Sequence, residues 1–255
     1  NFGIVTSFEF ALHPKPAQFV GGEIVFPIAR ARDILRFYAD YSPQAPDTLY
    51  IDFVMAQPPG GRDGVVLLHV AYCGDDADRD LAPLRKLGTP LQDDVKARDY
   101  VAFQRSGDST DQRSQGSYMK SGFTTGISEP LIAAVLDGFE GHPDRSTALF
   151  TQHAGGAIGR VPVDACAFPH RHAQHSLMHA VSWKMGNDSA QHIAYARKYW
   201  STLEPLTSGF YVNEVNDESS AVLNANYREN FPRMVAVKRQ YDPTNLFRLN
   251  PNVKA

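Results

Sequence analysis

Five of the nine histidines lie between His153 and His179: His153, His170, His172, His175 and His179. His175 and His179 are four apart, a spacing that puts two metal ligands on one face of a helix. The residues around them read as a strand as readily as a helix. There is no His-Glu-x-x-His, and a metal site needs three or four converging ligands. Hydrogen-bonded structural histidines are the expectation, and no metal is expected. Gly155-Gly156-Ala157-Ile158-Gly159 is neither a G-x-G-x-x-G nor a phosphate loop with its Lys-Ser/Thr. By residue chemistry it is a turn or a close-packing site. Cys73 and Cys166 are far apart with no Cys-x-x-Cys, so they read as two buried free thiols, which fits a cytoplasmic setting. The third constellation is C-terminal: Tyr211-Val212-Asn213-Glu214, Tyr227-Arg228-Glu229-Asn230, then a run from Val237 through Asp242-Pro243-Thr244-Asn245 to Asn250.

The elements that must position these residues follow from periodicity. Residues 2–13 alternate, with Phe2, Ile4, Thr6, Phe8, Phe10 and Leu12 on one side, so a strand is expected, ended by His13-Pro14-Lys15-Pro16. A short β-rich run at 19–26 precedes a helix from Ala29 to Tyr41. Thr48–Ala56 and Val65–Cys73 flank a Pro/Gly turn cluster and read as a hairpin. Asp75–Leu87 reads as helix, Tyr118–Thr125 as strand, and Ser128 caps a helix through Phe139. Thr147–His153 and His175–Trp183 are further strands. Asn187–Leu206 is a long helix, Phe210–Val215 a short strand, and Ser220–Tyr241 mostly helical. Ser106 to Gly116 is the most polar stretch and reads as a loop. Without a regular βαβ rhythm this is α+β, a largely antiparallel sheet flanked by helices.

Composition narrows function. The 255 residues carry a net charge of −3, with 43% hydrophobic and 21% charged residues. A general nucleic-acid or anionic-membrane binder needs a basic surface, so neither partner is expected. No apolar run approaches the ~20 residues of a membrane span; Val65-Val66-Leu67-Leu68 is interrupted by His69. The chain starts with Asn1 and shows no signal peptide; it reads as starting inside a longer protein.

The Tyr-x-Asn strand, the helix ending in Lys-Arg-Gln-Tyr-Asp-Pro-Thr-Asn-Leu-Phe-Arg and the closing Asn250 resemble the berberine-like C-terminal module of berberine bridge enzyme-type flavin oxidases. The opening Asn-Phe-Gly-Ile-Val-Thr is similar to the end of that family's FAD-binding domain. Gly155-Gly156-Ala157-Ile158 and Ala167-Phe168-Pro169-His170-Arg171 are similar to its central segments, and Tyr118-Met119-Lys120-Ser121 is a weaker match. The resemblance implies three parts: residues 1–18 ending the FAD-binding domain, 19–206 binding substrate, and 207–255 folding back on the FAD domain. It implies FAD as cofactor. Tyr211, Asn213 and Asn250 match positions near the isoalloxazine, and Phe2, Gly3 and Ile4 match a segment near the adenine.

Glu214 stands where some relatives carry a catalytic Tyr, and Arg160 where plant members carry an acid, so the plant ring-closing chemistry is not implied. In a regular strand Tyr211 and Asn213 share one face and Glu214 takes the other. Glu214 reaches the flavin only if the strand ends or bends there, in which case it is the candidate base. Tyr118, Lys120, Gln152 and Arg160 are the candidate substrate contacts, and Lys120 and Arg160 hint at an anionic group. The implied function is oxidation of an alcohol or amine carbon of a small molecule, with hydride passing to FAD and reoxidation by oxygen. The alternatives are a non-catalytic binding module of the same fold and a histidine-cluster metal-dependent hydrolase. No glycine-rich cradle for the FAD pyrophosphate is evident in the sequence. The 255 residues alone are therefore expected to be inactive and to need the N-terminal FAD-binding domain as partner.

Overall fold

Six strands of eight to ten residues, with two short strands of two and three residues against the first of them, build one antiparallel sheet. The structure, a computed structural model, describes residues 2–12, 19–60, 63–108, 114–214, 218–249 and 252–254. In chain order the elements are β1 (Phe19–Pro27), α1 (Ala31–Tyr41), β2 (Leu49–Gln57), β3 (Val65–Tyr72), α2 (Ala77–Asp80), α3 (Ala82–Arg85), β4 (Gln92–Asp93), β5 (Lys96–Arg98), α4 (Tyr100–Gln104), β6 (Gln115–Thr124), α5 (Glu129–Asp137), β7 (Arg145–His153), β8 (His175–Lys184), α6 (Ala190–Leu203), α7 (Ser220–Asn226) and α8 (Phe231–Tyr241). The strands pair in the order β4-β1-β3-β2-β7-β8-β6, with β5 also on β1.

In β3 every second residue is buried: Val66, Leu68, Val70 and Tyr72. They face the same side as Leu49, Ile51, Phe53 and Met55 of β2, Leu149 of β7 and Leu177 of β8. Helices α1, α5 and α6 cover that side with Ile34, Leu35, Leu131, Ile132, Val135, Tyr199, Trp200 and Leu203. Ser128 Oγ accepts from the Leu131 amide (3.4 Å) and so starts α5 where expected. The Tyr38 hydroxyl donates to the Thr151 carbonyl (2.6 Å), tying α1 to β7.

The α+β reading holds, with the hairpin, the later strands and the long helix where expected within a few residues. Asp75–Leu87 breaks into α2 and α3, which follow one another around Leu81. Two expected strands do not form. Residues 2–12 join no ladder among the described residues, and Ile4 (78%), Phe10 (73%) and Leu12 (89%) are exposed. Alternation makes a strand only when a neighbour supplies the ladder, and among the described residues no strand does. Described residues of Phe210–Val215 form a turn, closed by the Glu214 amide donating to the Tyr211 carbonyl (3.0 Å). The cause is upstream: Asn226 takes both polar groups of Phe210, accepting from its amide and donating to its carbonyl at 2.9 Å each. Part of the Ser106–Gly116 loop (109–113), Pro14 and its neighbours, and Asn250 lie outside the described residues. Cys73 and Cys166 are free but exposed, not buried; Cys166 Sγ accepts from Arg171 (2.9 Å).

Phe53, fully buried on the helix-covered side, contrasts with exposed Phe10. In urea denaturation of residues 1–255, Phe53→Ala is expected to cost about 3–5 kcal/mol, and Phe10→Ala to stay within about 0.5 kcal/mol. Equal losses would mean that the 2–12 stretch is packed.

Candidate functional site

Among the described residues, the other side of the sheet carries no helix comparable to α1, α5 and α6. Pairing runs through the six long strands without a slip, so cross-strand partners form straight rows. One row is polar over five strands: Glu23, His69, Asp52, Gln152, Ser176, ending at Phe123. The next is apolar apart from its last member: Val25, Leu67, Val54, Phe150, Met178, Ser121. Period-two alternation places both rows on the face opposite the core. At one end the row is bounded by α4, whose Phe103 ring lies 5.8 Å from that of His69.

The polar row is electrically active. His69 Nδ1 lies 3.4 Å from Glu23 Oε1; this contact, with the charges of Glu23 and Asp52, raises the imidazole pKa against the opposing effect of burial. The same contact lowers the Glu23 carboxyl. Burial pushes Asp52 up to about 6, although the Tyr50 hydroxyl hydrogen-bonds to it. Tyr50 is raised by burial first and then by Asp52, and it also feels Glu214. Burial raises Glu214 as well. Two oxygens here, Asp52 Oδ1 and Glu214 Oε2, are buried without a hydrogen-bond partner. A buried oxygen without a donor is a cost that a ligand can relieve.

Glu214 reaches this face because the C-terminal segment crosses the sheet edge. The Ser208 amide donates to the Phe123 carbonyl (2.8 Å), and the Phe123 amide to the Gly209 carbonyl (2.9 Å). Gly209 has φ +76°, and a Cβ there would sit 2.3 Å from His170 Cε1. The chain then turns at Tyr211–Glu214, the bend that lets Glu214 leave the face of its neighbours. A pocket of about 350 Å³ opens beside the turn, lined by Phe2, Phe168, His170, Tyr211, Asn213 and Met234 among others. Asn213 Nδ2 donates to the Tyr211 hydroxyl (2.9 Å).

Of the cofactor residues expected from the sequence, Phe2, Tyr211 and Asn213 therefore share one pocket. Gly3 and Ile4 are exposed and line none of the described pockets; Asn250 lies outside the described residues. Of the substrate residues, Gln152 lies in the polar row. Tyr118 faces the helices instead, packed with Val181, Trp183 and Ala196 and accepting from Arg197 Nε (3.2 Å). Lys120 shares that side of β6 and is ion-paired with Glu218. Arg160 ends a short 3₁₀ turn and pairs with Asp47 (2.5 Å). The hint of an anionic group from Lys120 and Arg160 thus loses its footing, since each already has a carboxylate.

Of the histidine cluster, His153 and His175 remain ring neighbours at 6.1 Å, while both ring nitrogens of His179 are buried without a hydrogen-bond partner among the described residues, against the expectation of hydrogen-bonded histidines. His175 and His179 are on β8, facing the helices; His175 Nε2 lies 2.7 Å from Ser42 Oγ, and His179 packs on the Tyr195 and Tyr199 rings. Burial pushes both down to about 3. Among the described residues no three His, Cys, Asp or Glu converge as metal ligands. Tyr50, Asp52, His69 and Glu23 escaped the sequence reading. The available signal was a lone Asp in Leu-Tyr-Ile-Asp-Phe-Val-Met and a lone His in Val-Val-Leu-Leu-His-Val, each a charged or titratable side chain in an otherwise apolar strand.

Residues 210–254 match the family model for berberine and berberine-like proteins. The whole chain is 24% identical to an FAD-linked oxidoreductase of Dictyostelium discoideum, spanning 56% of it. Over 99% of the chain it is 28% identical to (R)-6-hydroxynicotine oxidase of Paenarthrobacter nicotinovorans, spanning 58% of that protein. The solved structure of BBE-like #28 from Arabidopsis thaliana superposes with a TM-score of 0.76 at 16% identity, over 94% of this chain and 57% of that one. The chain spans a little over half the length of these relatives, and the berberine-like match falls on the segment that carries Tyr211, Asn213 and Glu214. Along its whole length the chain is similar to FAD-linked oxidoreductases, and residues 210–254 carry the berberine-like segment.

Proposed function

We propose that this chain forms the substrate side of a flavin-dependent oxidase acting on an alcohol or amine carbon of a small molecule. The observation that carries the reading is the sheet face with its polar row beside an apolar row, reached at one end by Glu214 from the berberine-like segment. Such a face suits a substrate with an apolar body and one reacting polar group. The residues fit the ring end of FAD: Tyr211, Asn213 and Phe2 offer aromatic surface and an amide. They do not fit its pyrophosphate, for which the sequence offers no evident cradle of backbone donors. That part falls to an N-terminal FAD-binding domain, which is the proposed partner.

Within this arrangement Glu214 takes the proton of the substrate's hydroxyl or amine. Burial moves its carboxyl up, the direction that suits a base working near neutrality. Gln152 orients the same polar group, and the apolar row excludes water. When bound, FAD supplies the hydride acceptor, and oxygen takes the electrons onward to give hydrogen peroxide.

Three results are expected. The full-length protein purifies with about one FAD per chain, whereas residues 1–255 retain none after gel filtration and form no peroxide; stoichiometric flavin on the 255 residues would overturn the division of labour. Asn213→Ala in the full-length protein shifts the flavin absorbance and lowers turnover with the fold intact; an unchanged spectrum and rate would remove Asn213 from the ring. Glu214→Gln lowers the rate of flavin reduction by about 10²-fold, the usual range for a lost general base; a negligible loss would leave Glu214 without that role.

A further inference from the structure

The charges on the sheet face indicate what it admits, if that face is the substrate wall proposed above. The strands direct Glu23 and Asp52 onto it, and Glu214 approaches from the C-terminal turn. His69 is engaged by Glu23 (3.4 Å). Of the six long strands, the one Lys or Arg on this face is Lys184, eight residues along β8 from Ser176. Lys120 and Arg160 are paired elsewhere. An anionic substrate would meet three carboxylates, while the cationic groups beside them are already engaged, His69 by Glu23 and Lys96 and Arg98 of β5 by Asp94.

A second observation is independent of charge. Ser176, in the same row as Asp52 and only 6% exposed, has its Oγ buried without a partner. Asp52 Oδ1 is likewise unpartnered, and Tyr50 on the same strand and face acts on the carboxylate. Both groups are fixed on central strands rather than on loops, so neither can easily turn away to find water. Leu67, Val54, Phe150 and Met178 lie in the adjoining row.

We propose that Asp52, beside Tyr50, anchors the ammonium group of a protonated amine substrate whose apolar body rests on Leu67 and Phe150. An ammonium carries three donors and a positive charge. It satisfies Asp52 Oδ1 and neutralises the buried carboxylate. A neutral alcohol can donate to the same oxygen but leaves the buried charge uncompensated, and charge-assisted hydrogen bonds are the stronger kind. Glu214 remains the proton acceptor, so Asp52 selects the amine and Glu214 prepares it for oxidation.

The test uses the full-length flavoprotein and three probes of one shape: benzylamine, benzyl alcohol and benzoate, each titrated against the flavin absorbance. The wild type is expected to bind benzylamine at least about tenfold more tightly than benzyl alcohol, and benzoate least. Asp52→Asn abolishes the amine preference while flavin content is retained, and Tyr50→Phe reduces it part way. The Asp52→Asn variant serves as its own folding control. It removes a buried ionised carboxylate, so its thermal midpoint rises at pH 7 and is unchanged at pH 4. Equal binding of benzylamine and benzyl alcohol, or an undiminished preference in a folded Asp52→Asn, overturns the proposal. A wild-type protein with no flavin overturns the reading beneath it as well.

Discussion

A side chain on a β-strand can take only one of two sides, and here six long strands are paired without a single slipped residue across the described ladders. That register is the constraint on which everything else rests. It gathers Phe53, Leu68, Leu149 and Leu177 under the helices and, by the same count, sets Glu23, His69, Asp52, Gln152 and Ser176 in a line on the other side. A one-residue slip in β2 would exchange Asp52 with a core residue, which would put a carboxylate beneath α1 and an apolar side chain in the polar row. Core and site are therefore specified together, and the cost of burying a charge in the core protects the alignment of the site.

The C-terminal segment is held to that sheet by polar clamps. Asn226 fixes Phe210, and Asn230 Nδ2 donates to the Val163 and Cys166 carbonyls at 2.8 and 3.0 Å. Lys238, fully buried, donates to Asp242 (2.5 Å) and the Phe247 carbonyl (2.9 Å), and Asp242 accepts from the Leu246 and Phe247 amides. Many of the residues that make the berberine-like motif recognisable in sequence are thus structural. Their work is to deliver the turn at Tyr211–Glu214 to one place on the sheet edge. Gly209 permits the approach, because its backbone conformation and the nearness of His170 leave no room for a side chain.

The fold was largely legible because its strands alternate and its helices carry caps and apolar spacing that local rules describe. The C-terminal motif was legible as a family resemblance, and Gln152, expected as a substrate contact, lies in the polar row. What stayed hidden depends on which strands become neighbours. Nothing local says that Asp52 and His69 stand side by side, or that Tyr118 and Lys120 turn toward α6 and Glu218. Residues 2–12 mislead for the same reason: their pattern is that of a strand, but pattern does not supply a partner. Asp52 also carries a stability cost. With its carboxyl raised to about 6 from an unfolded value near 3.9, the fold loses stability as pH rises through that interval, by about 3 kcal/mol at pH 7. A cost of that size in a central strand is what a binding group retained for its charge would carry.

The central claim is that the sheet face opposite the helices looks onto the flavin. Hydroxyl-radical footprinting of the full-length protein, with FAD bound and after its removal, tests this most directly. The account predicts that labelling of Tyr50, Leu67 and Phe150 falls when FAD is bound, while labelling on the outer surfaces of α1 and α5 is unchanged. Protection confined to the helical side, with Tyr50, Leu67 and Phe150 labelled equally in both states, would contradict it.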